Sequence, residues 1–180
     1  LQKERTIESK RIYEGRLVNL RVDTVELPAG RITNREIVEH ADVVAVVALD
    51  EKDNVLLVKQ YRKPVEKELL EIPAGGIESG ENPDDSAMRE LQEETGYLPS
   101  KIEKIGGVYA SPGYCTEFLH LYLATGLTPS RLKADDDEHI ELIRVPLAEI
   151  PQLISSSEIN DAKSVAALLT VIINRKQNQA

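Results

Sequence analysis

Between Ile12 and Glu39 apolar and polar residues alternate in two runs, Leu17, Val18, Leu20, Val22 and Val25 before the turn Pro28-Ala29-Gly30 and Ile32 to Val38 after it. A period of two predicts a β-hairpin or small meander. It has too few large apolar residues to stand alone, so it must pack on its own domain or on a second subunit. Two more strands, Asp42 to Leu49 and Val55 to Tyr61, are joined by the polar turn Asp50-Glu51-Lys52-Asp53-Asn54, and a short one, Glu68 to Ile72, delivers the chain to Pro73-Ala74-Gly75. Further on, Ile105 to Ser111 and Phe118 to Ala124 read as strands flanking the loop Pro112 to Glu117. The polar segment Thr128 to His139 precedes a strand from Ile140 to Val145, which Pro146 ends. Leu147 to Ile154 reads as a helix, as does Asp161 to Asn174, where Val165, Ala166, Leu168, Leu169, Ile172 and Ile173 recur at helical spacing. Strands and helices mixed in this order predict an α/β chain with a mixed sheet and helices on its faces.

One helix differs from the others. Asn82 is a good N-cap, Pro83 suits the first helical position, Asp85 sits in the first turn, and Gly96 can end the helix in a left-handed conformation, so the helix should run from Pro83 to Thr95. At ~100° per residue Glu90, Glu93 and Glu94 share one narrow sector with Ser86 beside them. Asp84, Ala87, Met88, Leu91 and Thr95 lie on a neighbouring sector, so one side can pack while the other crowds carboxylates. Like charges four residues apart cost an isolated helix a few tenths of a kcal/mol. Arg89 can pair with Glu93 but cannot neutralise the whole cluster. A divalent cation can, and oxygen ligands at this spacing suit Mg2+ or Mn2+, which keep several waters and share carboxylates with substrate phosphates. The competing reading is a solvated acidic face, the usual meaning of a Glu-rich helix.

Bulk properties narrow the choice. With 180 residues, 41% of them hydrophobic, the chain can build one main core plus a small appendage. A net charge of -9 argues against a nucleic-acid partner, and no basic stripe with interleaved aromatics appears. Cys115 is the one cysteine, so no intrachain disulfide framework or cysteine zinc site is expected. His40, His120 and His139 show no metal-ligand spacing. The opening residues lack an apolar signal core and no run approaches a membrane span, so a soluble, cytoplasmic protein without a membrane partner is expected.

The loop before the acidic helix decides between the two readings. Gly75, five residues, Glu81, seven residues, then Arg89-Glu90-Leu91-Gln92-Glu93-Glu94-Thr95-Gly96 resembles the signature of Nudix hydrolases, which cleave a nucleoside diphosphate linked to another group. Tyr97 stands where that family more often has an aliphatic residue. The resemblance implies the Nudix fold, an α/β/α sandwich of a mixed β-sheet between helices, over residues 41–180. It also implies that residues 1–40 form a small N-terminal antiparallel β-region used for dimerisation. Glu90 and Glu94 become the expected metal ligands, with Glu93 as a third and the backbone carbonyl of Ala74 completing the site. Mg2+ is the expected cofactor and Mn2+ its substitute. Glu81 is either a carboxylate supporting the site or a plain loop residue.

Val58-Lys59-Gln60-Tyr61-Arg62, Glu71-Ile72-Pro73-Ala74-Gly75 and Ser111-Pro112-Gly113 are similar to the ADP-ribose pyrophosphatase subgroup. That subgroup carries a catalytic glutamate on a loop just before a strand. Glu138 matches it best and would also approach the metal, with Glu141 as the fallback and Asp136 third; Glu93 is the other catalytic candidate. Arg62 is a candidate phosphate clamp, since a guanidinium donates two hydrogen bonds to one phosphoryl group. Pro112 and Gly113 join it as substrate-binding positions, and Glu117 is a candidate for the metals or the ribose. Arg35 is placed to stack on adenine. The implied partner is a second copy of the chain with exchanged N-terminal strands. The implied reaction is Mg2+-dependent hydrolysis of ADP-ribose to AMP and ribose 5-phosphate by metal-activated water. The alternatives are another sugar nucleotide such as GDP-mannose, or a non-catalytic nucleotide-binding module, whose expected mark, the loss of a signature glutamate, is absent from this chain.

Overall fold

The computed structural model describes residues 3–130 and 140–178. The chain divides into two units, the first made of residues up to Asp42 together with Tyr109–Phe118, the second of Val43–Val108 with the chain from Leu119 onward.

In the first unit β1 (Arg5–Glu14), β2 (Val18–Glu26) and β3 (Ile32–His40) form an antiparallel sheet in that order. The alternation expected from Ile12 onward is present in β2 and β3, which pair from Val18 opposite His40 to Glu26 opposite Ile32. The first half of β1 was not expected. Every residue of that strand is exposed, so no buried side imposes a period of two on its sequence. Main-chain pairing to β2 and charge pairs hold it instead, Arg5 with Glu26 at 2.5 Å, Arg11 with Glu39, and the Ser9 hydroxyl donating to Asp23 at 2.7 Å. The loop after Tyr109 is tied to β3, because the Val38 N–H donates to the Tyr114 carbonyl at 2.7 Å and the Thr116 N–H to the Val38 carbonyl at 3.0 Å.

The second unit is a mixed sheet between helices, as expected. Its strands are β4 (Val43–Leu49), β5 (Asn54–Arg62), β6 (Lys67–Glu71), β7 (Ala74–Gly76), β8 (Tyr97–Tyr109), β9 (Phe118–Pro129) and β10 (Glu141–Pro146), ordered β10-β5-β4-β9-β8 with β6 on β5 and β7 on β4. β4 and β9 run parallel, and β10 pairs antiparallel with β5. All seven residues of β4 are buried, the mark of a strand covered on both faces. Val44, Val46 and Ala48 pack with Ala87 and Leu91 of α1 (Pro83–Thr95), and α3 (Ala162–Asn178) also packs against β4. Between β10 and α3 a 3-10 turn at Leu147–Glu149 runs into the short α2 (Ile150–Ser155), so the helix expected from Leu147 begins as a tighter turn.

Three further expectations need correcting. β8 begins at Tyr97, directly after α1, and not at Ile105. Apart from the buried Pro99, its residues are exposed or half-buried and carry little apolar signal. β9 runs on to Pro129, and β7 was not foreseen, since three residues Ala-Gly-Gly have no side-chain pattern and are a strand through main-chain pairing with Val43–Ala45.

Candidate active site

The helix α1 has the bounds its capping residues predict. Asn82 is extended (φ -87, ψ 154) and its side-chain oxygen accepts the N–H groups of Asp84 at 2.9 Å and Asp85 at 3.0 Å. Gly96 adopts the left-handed conformation (φ 75) and its N–H donates to the Gln92 carbonyl at 2.9 Å. Ser86, Ala87, Leu91 and Thr95 are buried. The Tyr122 hydroxyl donates to Asp84 at 2.7 Å, and burial followed by that carboxylate pushes its pKa up. This packing fixes the rotation of α1 and turns the sector of Glu90, Glu93 and Glu94 away from the core.

Two of these carboxylates meet the backbone of β7. An Oε of Glu94 accepts the Ala74 N–H at 3.2 Å. Glu90 lies over Gly75 so closely that a Cβ at that position would sit 2.1 Å from its carboxyl carbon. The missing side chain of Gly75 is the space the Glu90 carboxylate fills, and any Cβ there would displace that carboxylate. The strand pairing of Ala74 with Ala45 and Gly75 with Val44 fixes the other side of this meeting point.

Arg89 organises the remainder. Its guanidinium forks onto Glu81 at 3.0 and 2.9 Å, reaches Glu90 at 2.7 Å and Glu93 at 3.0 Å, and donates to the Gly76 carbonyl at 3.1 Å. The fork on Glu81, against burial and with help from the Ser86 hydroxyl and the Glu78 N–H, holds the Glu81 carboxyl down at about 2. The same carboxylate pushes the Arg89 pKa up. Glu81 is thus the anchor of Arg89 and not a free loop residue. A cleft of about 260 Å³ opens here, lined by Ala74, Gly75, Arg89, Glu90 and Glu93.

Among the described residues no three acidic, histidine or cysteine side chains close on one point as a finished metal cage would. What the fold provides is a partial, all-oxygen site, two carboxylates one turn apart beside the backbone of Ala74 and Gly75. That donor set fits a hard divalent cation that keeps waters and shares its remaining positions with phosphate.

Arg62, in the same unit, has its own partner. Nε and Nη2 fork onto Glu71 at 3.0 and 2.8 Å, and this bond, opposed by burial, raises the Arg62 pKa, with Glu94 close enough to add to the effect. In the first unit Arg35, Pro112 and Gly113 line one cavity of about 370 Å³ with Arg21, Tyr114 and Cys115. Arg35 there forks onto Glu4 at 2.6 and 3.1 Å, and Glu117 lies 3.7 Å from the His40 ring. Glu138 and the third choice Asp136 lie outside the described residues. The fallback Glu141 is exposed at the start of β10, opposite Lys59. Tyr97, the departure from the signature, accepts a hydrogen bond from Arg144 at 2.6 Å, so its ring is tied to β10. Sequence reasoning missed Arg21 in the cavity, Glu4 as partner of Arg35 and Glu71 as partner of Arg62. No local spacing marks such pairs.

Comparison with known proteins places the chain by sequence and fold. Residues 39–168 match the NUDIX domain and residues 4–38 the nucleoside diphosphate sugar hydrolase N-terminal domain. The chain is 42% identical to the ADP-ribose pyrophosphatase of Bacillus subtilis (strain 168), over 92% of this chain and 90% of that one. It is 45% identical to the methanol dehydrogenase activator of Bacillus methanolicus, over 93% and 92%. A crystal structure of an ADP compounds hydrolase superposes with a TM-score of 0.91 at 25% identity, covering 99% of this chain and 97% of the other.

Proposed function

The chain belongs to the Nudix hydrolase family, and from that premise we propose that it hydrolyses the pyrophosphate bond of ADP-ribose to AMP and ribose 5-phosphate, with Mg2+ as its working cation and Mn2+ as a substitute. The observation that carries this reading is the convergence of Glu90 and Glu94 on Ala74 and Gly75 within an otherwise complete signature. Nudix hydrolases need a divalent metal. Glu90, Glu94 and the Ala74 carbonyl would hold it, with Glu93 and Glu138 as further ligands. When bound, the cation supplies charge neutralisation for the diphosphate and acidifies water.

The chain's own residues divide the other tasks. Glu138 orients the attacking water, because a carboxylate beside a cation is a weak base on its own, and Glu93 is the other catalytic candidate. Arg62 offers its guanidinium to a phosphoryl oxygen. Arg35, Pro112, Gly113 and Glu117 serve the adenosine side of the substrate. Arg35 forks onto Glu4 through its in-plane N–H groups, which leaves the face of the guanidinium for a base to stack on. A homodimer built on the N-terminal strands is supported by Ile7, Ile12, Tyr13, Leu17 and Ile32, large apolar residues all about half exposed or more. A cytoplasmic location goes with this reading. Among the described residues no helix is long and apolar enough to cross a membrane.

The test is a product assay with ADP-ribose, GDP-mannose, NADH and dinucleoside polyphosphates under Mg2+. ADP-ribose should give the highest kcat/KM, and chelation should abolish turnover. A wide margin for another substrate would overturn the preference. The likeness to a methanol dehydrogenase activator adds one arm, the rate of a methanol dehydrogenase with the protein present. Stimulation without any ADP-ribose cleavage would favour that second reading.

A further inference from the structure

Arg62 is held by a buried ionic cluster that the signature does not include. Glu71 is 1% exposed and receives Arg62 on both oxygens, while Lys163, from the first turn of α3, donates to the same carboxylate. Lys163 also donates to Asp161 Oδ1 at 2.9 Å, and that oxygen accepts the Ser164 N–H at 3.1 Å, at the start of α3. The Ser164 hydroxyl is fully buried and accepts the Ile72 N–H at 2.9 Å. Asp161 Oδ2 is buried without a hydrogen-bond partner.

The cluster therefore grips a short span from several sides. Glu71 is fixed through its side chain and Ile72 through its N–H. The Pro73 carbonyl accepts the Val46 N–H at 2.9 Å, and the Ala74 N–H meets Glu94. One end of this span is the backbone of the metal site and the other is the seat of Arg62. Four charges and an unpartnered oxygen are an expensive way to gain stability, since apolar residues of similar volume generally do as well or better. In some proteins a buried ionic group of that kind serves to fix geometry.

We propose that Lys163 is a positioning residue for the reaction: by holding Glu71 between itself and Arg62, it fixes the guanidinium with Nη1 presented to a phosphoryl oxygen of the diphosphate. Among the described residues the fork onto Glu71 uses Nε and Nη2 and leaves Nη1 outside it, and the Arg62 side chain is about two-fifths exposed. With Lys163 lost, Glu71 keeps one cation in place of two and Asp161 loses its own, leaving the buried carboxylates to repel each other and shift the fork that aims Arg62. The inference rests on the reading of this chain as a diphosphate hydrolase.

The test is a double-mutant cycle on the full-length protein with ADP-ribose and saturating Mg2+, using Arg62→Ala, Lys163→Met and both together, with Lys163→Arg beside them. Lys163→Met should lower kcat/KM about ten- to a hundredfold, the usual effect of a lost orienting contact. The double variant should fall no lower than Arg62→Ala alone, and Lys163→Arg should recover most of the rate. A purely structural lysine predicts the opposite, a lowered Tm with losses that multiply in the double variant. Multiplying losses, or a Lys163→Met rate within twofold of the parent, overturn the inference. Should Lys163→Met fail to fold, Lys163→Gln takes its place in the same cycle with the same two outcomes. If the parent enzyme prefers another sugar nucleotide, the substrate assignment falls while the cycle on that substrate still decides the role of Lys163.

Discussion

Gly75→Ala isolates the contact between loop and helix with a single methyl group. A Cβ there would lie 2.1 Å from the Glu90 carboxyl carbon and 2.2 and 2.3 Å from its oxygens. Ordinary carbon contacts are about 3.5–4.0 Å, so the carboxylate must retreat by at least about 1 Å or the strand must lift from β4. The backbone itself tolerates alanine, because Gly75 is not among the glycines with positive φ. Strain at that residue therefore does not confound the result. A displacement of about 1 Å in a positioning group costs on the order of a hundredfold in rate, which corresponds to about 2.7 kcal/mol of transition-state stabilisation. The assay is kcat/KM for ADP-ribose across a Mg2+ titration, with a thermal melt beside it. Activity should fall about a hundredfold and the Mg2+ dependence should shift to higher concentration, while Tm changes by a few degrees. A Gly75→Ala enzyme within threefold of the parent at the same Mg2+ concentration would refute the claim that Glu90 must occupy the space over Gly75.

Other perturbations reach different parts of the account. Glu138→Gln should lower kcat more than it weakens cation binding, measured by steady-state kinetics beside calorimetry; a normal rate would move the catalytic role to Glu141 or Asp136. Glu81 should confer acid sensitivity on the metal-free protein, because its folded carboxyl sits at about 2 against an ordinary value of 4.5. A depressed carboxylate stabilises the fold fully above its unfolded pKa and loses that contribution as pH falls from about 4.5 towards about 2, here about 1 kcal/mol once solvent screening is allowed for. Urea unfolding from pH 6 to pH 3 should show a steeper acid decline for the parent than for Glu81→Gln, and parallel curves would contradict the Arg89 pairing.

How much of this was legible in the sequence follows from where the information sits. The bounds of α1 are local, since Asn82, Pro83 and Gly96 act within a turn of themselves, and the helix ends where they predict. β4 is legible because it is apolar throughout. The first half of β1 and the first residues of β8 are not, because exposed strands are specified by main-chain partners that impose no alternation. The carboxylates of the site could be read from helical spacing. Their meeting with Ala74 and Gly75 could not, because it depends on β7, a strand with no side-chain pattern. Lys163 and Glu71 stand 92 positions apart and meet only because α3 packs back on the sheet. Arg62 stands out in the sequence as a candidate phosphate clamp, but its carboxylate partner, and hence the direction in which it is held, does not.

The central claim is that Glu90 and Glu94, brought to Ala74 and Gly75, grip a divalent cation. Its most direct measurement is calorimetric titration of Mg2+, and separately Mn2+, into the protein at neutral pH with a non-hydrolysable ADP-ribose analogue present. The parent should show saturable uptake and Glu94→Gln should lose most of it while keeping its Tm within a few degrees. Equal uptake by Glu94→Gln and the parent, or no uptake by either, would contradict the account.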